Sequence, residues 1–278
     1  MSEFIAAVAQ TNPILGDIAA NLSQMAAMTE QICREQHPDI IVFPELATTG
    51  VENGMAFNYM AERLPGGHQF NILARKAADF NVHIVFGMPT KTKVETTLYN
   101  AAVVIGPDGD LIGEYRKIHL LGEEKLSFRP GYRFSVFDTG LGTLGVMLGA
   151  DVAFPEAARA LTLMGAEIIC LPAAYEAQYQ AEWEAFTQAR AAENGVFLLA
   201  ANRVGQEPSR TFLGDSAIFA PDGTLLARID ADENETDAVT TGYAFARIDA
   251  SAVRRVREAR QFIMARSPAA YGPIVKKY

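Results

Sequence analysis

Seven short runs of consecutive apolar residues constrain this chain more than any other feature. They are Phe4–Ala9, Asp39–Phe43, His83–Gly87, Ala101–Ile105, Gly142–Leu148, Glu167–Leu171 and Val196–Ala201. Most are apolar on both faces, and a strand of that kind needs cover on both sides of its sheet. Between them, Leu22, Met25, Met28 and Ile32 recur at helical spacing, as do Ala157, Ala160, Leu161 and Met164, with Pro155 placed near a helix start. Pro107-Asp108-Gly109 and Pro221-Asp222-Gly223 stand between strand-like runs and predict hairpins. Strand–helix alternation with hairpins predicts an α/β protein of mixed sheets. No composition shift marks a boundary, so residues 1–278 read as a single domain without tandem repeats. From about Val253 the chain turns basic and helical, then ends in Arg266-Ser267-Pro268 and an irregular tail, which predicts packing on a partner subunit or a neighbouring surface.

Composition closes several function classes. Hydrophobic residues make up 49%, which excludes disorder. No uninterrupted apolar run approaches the roughly 20 residues that span a bilayer. Met1-Ser2-Glu3-Phe4 has no cationic region ahead of its apolar run, so it does not read as a signal peptide. A net charge of −9 argues against a nucleic-acid partner. Asp230, Asp232, Glu233, Glu235 and Asp237 concentrate much of that charge in one stretch. Two cysteines, Cys33 and Cys170, are too few for a disulfide framework, and a reducing cytoplasm is the simpler setting.

Three segments put ionisable groups just after apolar strands, where α/β proteins usually build their sites. In Ile40-Ile41-Val42-Phe43-Pro44-Glu45-Leu46 a carboxylate leaves a buried strand end, where partial desolvation raises its pKa toward the range of a general base. Tyr115-Arg116-Lys117-Ile118-His119-Leu120 follows the strand-like Leu111–Glu114, and a lysine held in a cleft suits a developing oxyanion. Seen alone, the first reads sooner as a helix-capping or surface glutamate and the second as a surface cationic patch. Gly145-Val146-Met147-Leu148-Gly149-Ala150-Asp151, followed by Phe154-Pro155-Glu156, has the strand, sharp turn and helix of a nucleophile elbow, with glycine at the turn. The four histidines are scattered, so no metal site is read, and no cofactor. Asp230-x-Asp232-x-Asn234 resembles the opening of a calcium loop, but Glu235 and Thr241 replace the glycine and glutamate such a loop requires. A solvated acidic loop is the reading.

In chain order, these segments resemble the motifs of the nitrilase superfamily. The glutamate motif matches Phe43-Pro44-Glu45-Leu46 with Thr49-Gly50, and the lysine motif matches Tyr115 to Leu120. The nucleophile motif, cysteine-any-aspartate and then Phe-Pro-Glu, matches Gly149-Ala150-Asp151 and Phe154-Pro155-Glu156. Tyr99-Asn100, Phe128-Arg129-Pro130-Gly131, Arg190 to Asn194, Ala201 to Gly205 and Phe212 to Ser216 extend the resemblance through nearly the whole chain.

The resemblance implies a four-layer α-β-β-α sandwich that pairs into a homodimer or larger homo-oligomer. It implies hydrolysis of a small amide, carbamoyl or nitrile substrate by a cysteine thiolate, with Glu45 as general base and Lys117 as oxyanion stabiliser. The backbone N–H of Ala150 would help hold the oxyanion, and Glu124 (or its neighbour Glu123) would position the lysine and the substrate. Gly149 departs from the pattern, since it stands where the nucleophile belongs. Cys33 and Cys170 sit among apolar neighbours and read as structural thiols. Without a nucleophile there is no covalent acyl-enzyme, and the loss costs on the order of a million-fold in turnover. Two readings stay open. Gly149 is an introduced change in a working hydrolase, or the chain is a natural inactive relative that binds a ligand or partner. The match at Glu45, Lys117 and Glu124 supports the first, and Ala150, smaller than the residue the family leads one to expect, supports the second. Pocket residues are expected in Thr48–Asn53 and Ala173–Trp183, with Tyr175 and Trp183 as substrate contacts. That window has no basic residue, which predicts a neutral or weakly polar acyl group rather than a dicarboxylate.

Overall fold

All seven runs overlap strands in the computed structural model, which describes residues 3–93, 97–229 and 240–276. The first half contains β1 (Glu3–Gln10), α1 (Ile18–Gln36), β2 (Ile40–Val42), α2 (Phe57–Met60), α3 (His68–Phe80), β3 (His83–Lys91), β4 (Leu98–Ile105), β5 (Leu111–Arg116) and α4 (Glu124–Ser127). The second contains β6 (Val136–Thr139), β7 (Gly142–Val146), α5 (Pro155–Leu163), β8 (Ile168–Ala173), α6 (Gln180–Asn194), β9 (Phe197–Asn202), β10 (Val204–Glu207), β11 (Arg210–Leu213), β12 (Ala217–Phe219), β13 (Leu225–Arg228), β14 (Gly242–Asp249) and α7 (Ser251–Arg260).

The two-sided strands serve two cores at once. In β1, Phe4, Ala6 and Val8 face the core between the sheets, while Ala7 and Ala9 face the helical layer. In β8, Ile168 and Cys170 point between the sheets, and Ile169 and Leu171 point toward the helices. Each fully buried Ile, Leu or Val contributes about 1.5–3 kcal/mol of transfer free energy. The result is the α-β-β-α sandwich, with α1 and α3 over one sheet and α5 and α6 over the other. Helix α1 starts where the Asp17 carboxylate accepts the Ala20 N–H at 3.0 Å, and it ends at His37 in the left-handed region.

The two sheets repeat one plan. The first runs β14-β1-β2-β3-β4-β5 and the second β6-β7-β8-β9-β12-β13. Read in that order, both pair antiparallel, parallel, parallel, antiparallel, antiparallel. The predicted hairpins form at matching places. Asp108 Oδ1 accepts the Asp110 N–H at 3.0 Å between β4 and β5, and Asp222 Oδ1 accepts the Thr224 N–H at 2.9 Å between β12 and β13. Even the register shifts correspond, at Val104/Ile105 and at Ile218/Phe219. The second half adds the β10–β11 hairpin.

Strand β14 crosses back to the first sheet and pairs with β1 over eight positions, from Glu3↔Asp249 to Gln10↔Gly242. Beyond it, α7 is held by Arg257, whose guanidinium donates to the carbonyls of Ala166 and Gly195 at 2.6 and 3.1 Å. The predicted tail is a 3-10 turn over Pro268–Val275 with Ile274 and Val275 exposed. The acidic stretch with the calcium-loop resemblance falls within residues 230–239, outside the described residues save for Thr241.

Candidate active site

The parallel strands β2, β7 and β8 end together, and their carboxyl ends form the floor of a cavity of about 360 Å³. Glu45 leaves β2 across a close backbone contact. Its N–H donates to Ala173 O at 3.3 Å, and a Cβ at Gly87 would stand 2.5 Å from both Glu45 Cα and Leu46 N. Only glycine at 87 lets β3 lie this near.

Two side chains and one backbone N–H then gather on Glu45. Lys117 Nζ and Asn100 Nδ2 each donate to Oε1 at 2.7 Å, and the Ala174 N–H donates to Oε2 at 3.1 Å. Lys117 emerges from β5 and also donates to Glu124 Oε1 and Oε2 at 2.8 and 2.9 Å. Asn100 bridges the two carboxylates, since its Nδ2 reaches Glu124 Oε1 at 2.9 Å. Glu45 and Lys117 are only 3% and 4% exposed, so their interaction is little screened. Burial pushes the Glu45 carboxyl up, Lys117 pulls it down, Glu124 adds to the rise, and the net direction is up. Burial disfavours the Lys117 ammonium, but the two carboxylates outweigh it and raise its pKa. The cluster has one carboxylate more than its single cation balances.

Gly149 lies against this cluster. Strand β7 ends at Val146, and Gly149 opens a 3-10 turn over Gly149–Ala153 ahead of α5, as an elbow requires. Its φ of 48° falls in the left-handed region. A Cβ at 149 would collide with Glu45 Oε2 and stand 2.9 Å from Cδ and 3.0 Å from Oε1. Glu45 therefore occupies the space that a side chain at the elbow would enter. Cys33 and Cys170 are both buried, with burial pushing the Cys33 thiol up to about 11 and the Cys170 thiol higher still.

Behind the elbow, the fully buried Asp151 ties it to the lysine segment. Its carboxylate accepts from Tyr115 OH at 2.7 Å, the Leu148 N–H at 3.0 Å and the His119 N–H at 3.1 Å, with His119 Nδ1 at 2.7 Å. The His119 ring stacks on Phe154 at 3.7 Å between centroids. Burial and the Asp151 charge both push the Tyr115 phenol far up, so it stays a donor.

Of the sequence-predicted residues, Glu45, Lys117, Glu124, Gly149, Ala150 and Tyr175 all line the cavity. Trp183 does not. It is 1% exposed, its indole N–H donates to Asp215 O at 3.0 Å, and its ring lies 5.3 Å from that of Tyr175. It supports the wall rather than forming it, because its side of α6 packs onto the second sheet. Tyr179, Glu176 and Glu182 complete that wall. Arg210, on β11, also lines the cavity, so the absence of a basic group holds for the 173–183 window and not for the cavity. Asn100 is the functional residue the sequence reading missed, and its presence in the Tyr99-Asn100 motif was the available signal.

A family model described as carbon–nitrogen hydrolase matches residues 5–258. The chain is 37% identical over 230 residues to a probable nitrilase of Schizosaccharomyces pombe, covering 82% of this chain and 84% of that protein. The crystal structure of a carbon–nitrogen hydrolase from Helicobacter pylori superposes with a TM-score of 0.86 at 27% identity, covering 99% of each chain. A cysteine-to-alanine mutant of the amidase from Nesterenkonia sp. AN1, in complex with butyramide, matches with a TM-score of 0.77 at 25% identity, covering 93% of this chain and 95% of that one.

Proposed function

Because the chain belongs to the carbon–nitrogen hydrolase family, we propose that it carries the site of a hydrolase for small non-peptide amides, carbamoyl compounds or nitriles, and that Gly149 leaves this site binding its substrate without cleaving it. The observation that carries the reading is the buried Glu45–Lys117–Glu124 cluster at the cavity floor, against the elbow. With a cysteine at 149, Glu45 takes the thiol proton and sulfur adds to the amide carbon. Lys117 and the Ala150 N–H stabilise the oxyanion. Glu45 then returns the proton to the leaving nitrogen as the C–N bond breaks. Water, deprotonated by Glu45, adds to the thioester carbon, and the C–S bond breaks to release the carboxylic acid and the thiol. With glycine at 149 the first bond cannot form. The butyramide complex of the Nesterenkonia amidase, obtained with a cysteine replaced by alanine, supports a linear amide as the ligand.

One observation favours the second reading, a protein that only binds. Glu45 fills the space a nucleophile's Cβ would occupy, so the elbow is closed rather than hollow. Gly149→Cys and the unaltered chain, assayed side by side for ammonia release from amides, ω-amides, carbamoyl amines and nitriles, decide between the two. Strong turnover in the cysteine variant alone supports a hydrolase lacking only its nucleophile. No turnover in a folded cysteine variant supports the binding protein. The same family reading implies a homodimer or larger homo-oligomer, which sedimentation as monomer alone at micromolar concentration would remove, and the two cysteines favour a reducing cytoplasm. Among the described residues no helix is long and apolar enough to cross a membrane.

A further inference from the structure

Charge in the cavity is unevenly matched from floor to mouth. At the floor, Lys117 is consumed by Glu45 and Glu124. Near the mouth, Arg210 pairs with Glu176 at 3.6 Å, while the Glu52 carboxyl is pushed up by burial and held down on balance by hydrogen bonds from Ser209, with Arg210 adding a smaller pull. Glu182 is left over. It is exposed, and no lysine, arginine or histidine pairs with it among the described residues. Its partner is the Tyr175 hydroxyl, which donates to Oε2 at 3.3 Å. Tyr175 and Tyr179 stand edge to face with centroids 6.4 Å apart, beside that carboxylate. Burial and then the Glu182 charge push the Tyr175 phenol up to about 12, so its hydroxyl remains a donor and its ring keeps a neutral face.

An unneutralised carboxylate beside two aromatic rings is a complement for a cation, by direct pairing and by attraction to the ring faces. We propose that Glu182, with Tyr175 and Tyr179, forms a distal subsite for a positively charged group, so that the preferred ligand is a linear amide or carbamoyl compound whose far end carries an ammonium. This rests on the reading of the floor as an amide site and adds the chemistry of the other end. It replaces the neutral acyl group expected from residues 173–183, because the expectation counted missing cations and overlooked the unmatched anion. The wider cavity, at about 360 Å³, lies in the range of small-molecule sites and has room for a chain of several carbons between the two ends.

The unaltered protein allows a binding test without turnover. Trp183 is the chain's one tryptophan and touches Tyr175, so its emission reports on that wall, with titration calorimetry as a second readout. The probes are pentanamide, 5-aminopentanamide and glutaramate, which share an amide end and differ in the far group. The ammonium compound is expected to bind about five- to tenfold more tightly than pentanamide, and the carboxylate more weakly. Rising salt should shrink the difference. Glu182→Gln, an exposed change that leaves the fold intact, is expected to bring 5-aminopentanamide to the affinity of pentanamide. Pentanamide binding as well as or better than the ammonium compound overturns the subsite, and so does a preference that survives Glu182→Gln. In both cases the amide reading of the floor stands. Failure of all three probes to bind overturns the floor reading and the subsite with it.

Discussion

Placing a single methyl group at the elbow tests how tightly Glu45 seals it. In Gly149→Ala, the backbone stays at a φ of 48°, where a residue with a Cβ costs about 1–2 kcal/mol relative to glycine. The new Cβ also meets the carboxylate, with Cδ at 2.9 Å against an ordinary carbon–carbon contact of about 3.5–4.0 Å. Glu45 must withdraw, and the hydrogen bond from the Ala174 N–H to Oε2 is the one it gives up. A buried donor left unsatisfied costs about 1–3 kcal/mol. Together these give about 2–5 kcal/mol, or a fall in Tm of about 5–15 °C for a chain of this size. In a Glu45→Ala background the collision is gone and only the backbone cost remains. Urea unfolding of the four proteins should then yield a coupling of about 1–3 kcal/mol between positions 45 and 149, beyond the roughly 0.5 kcal/mol scatter of independent sites. Coupling within that scatter would refute the argument. So would a stabilised Gly149→Ala, the result if the lower entropy of the unfolded chain were the larger effect.

Two further outcomes follow from the same cluster. The raised pKa of Glu45 means that the folded protein holds this proton more tightly than the unfolded chain, so the associated stability is complete below the ordinary value of 4.5 and is lost as pH rises through the folded pKa. Melting temperature, compared with Glu45→Gln at each pH, should therefore decline from about pH 4.5 upward, and a rising difference would show the sign to be wrong. Asp151→Asn replaces a fully buried acceptor of several hydrogen bonds with a group that must also donate, at a cost of about 2–4 kcal/mol. Chemical denaturation within about 0.5 kcal/mol of the unaltered protein would show that the Asp151 cross-tie contributes little.

Much of this architecture was legible because the strands are apolar on both faces, a pattern only a sheet covered on both sides satisfies. Glu45, Lys117 and Gly149 were legible as residues that follow strands, although a strand end does not reveal which other strand ends lie beside it. Their convergence came from the resemblance and not from spacing. Asn100 was hidden because its amide acts within a strand, between two carboxylates brought in from elsewhere. Arg210 was hidden because it arrives on an added hairpin far from the window that supplies the rest of the wall. The placement of Trp183 had a signal that was not used. Trp183, Thr187, Arg190, Ala191 and Asn194 recur at helical spacing and all are buried, yet the polar members mask the stripe as an outward face. The Arg190 side chain is accommodated there because its guanidinium donates to Val152 O at 2.9 Å.

The shared plan of the two sheets has a topological consequence. Strand β6 opens the second unit, whereas its counterpart β14 is reached only at the far end of the chain, so the two units differ in strand order by a circular permutation. Glu3 and Asp249 are register partners, and a short turn between them would restore the unpermuted order with new ends between β5 and β6. Each unit taken alone would expose the apolar face that now lies between the sheets, and the other unit covers it. The candidate site is divided across the pair. The first unit supplies the carboxylates and the lysine, and the second supplies the elbow and the Ala174 N–H that holds Glu45 in place. Neither half contains the whole site, so glycine at the elbow of one leaves the carboxylate–lysine cluster of the other in place.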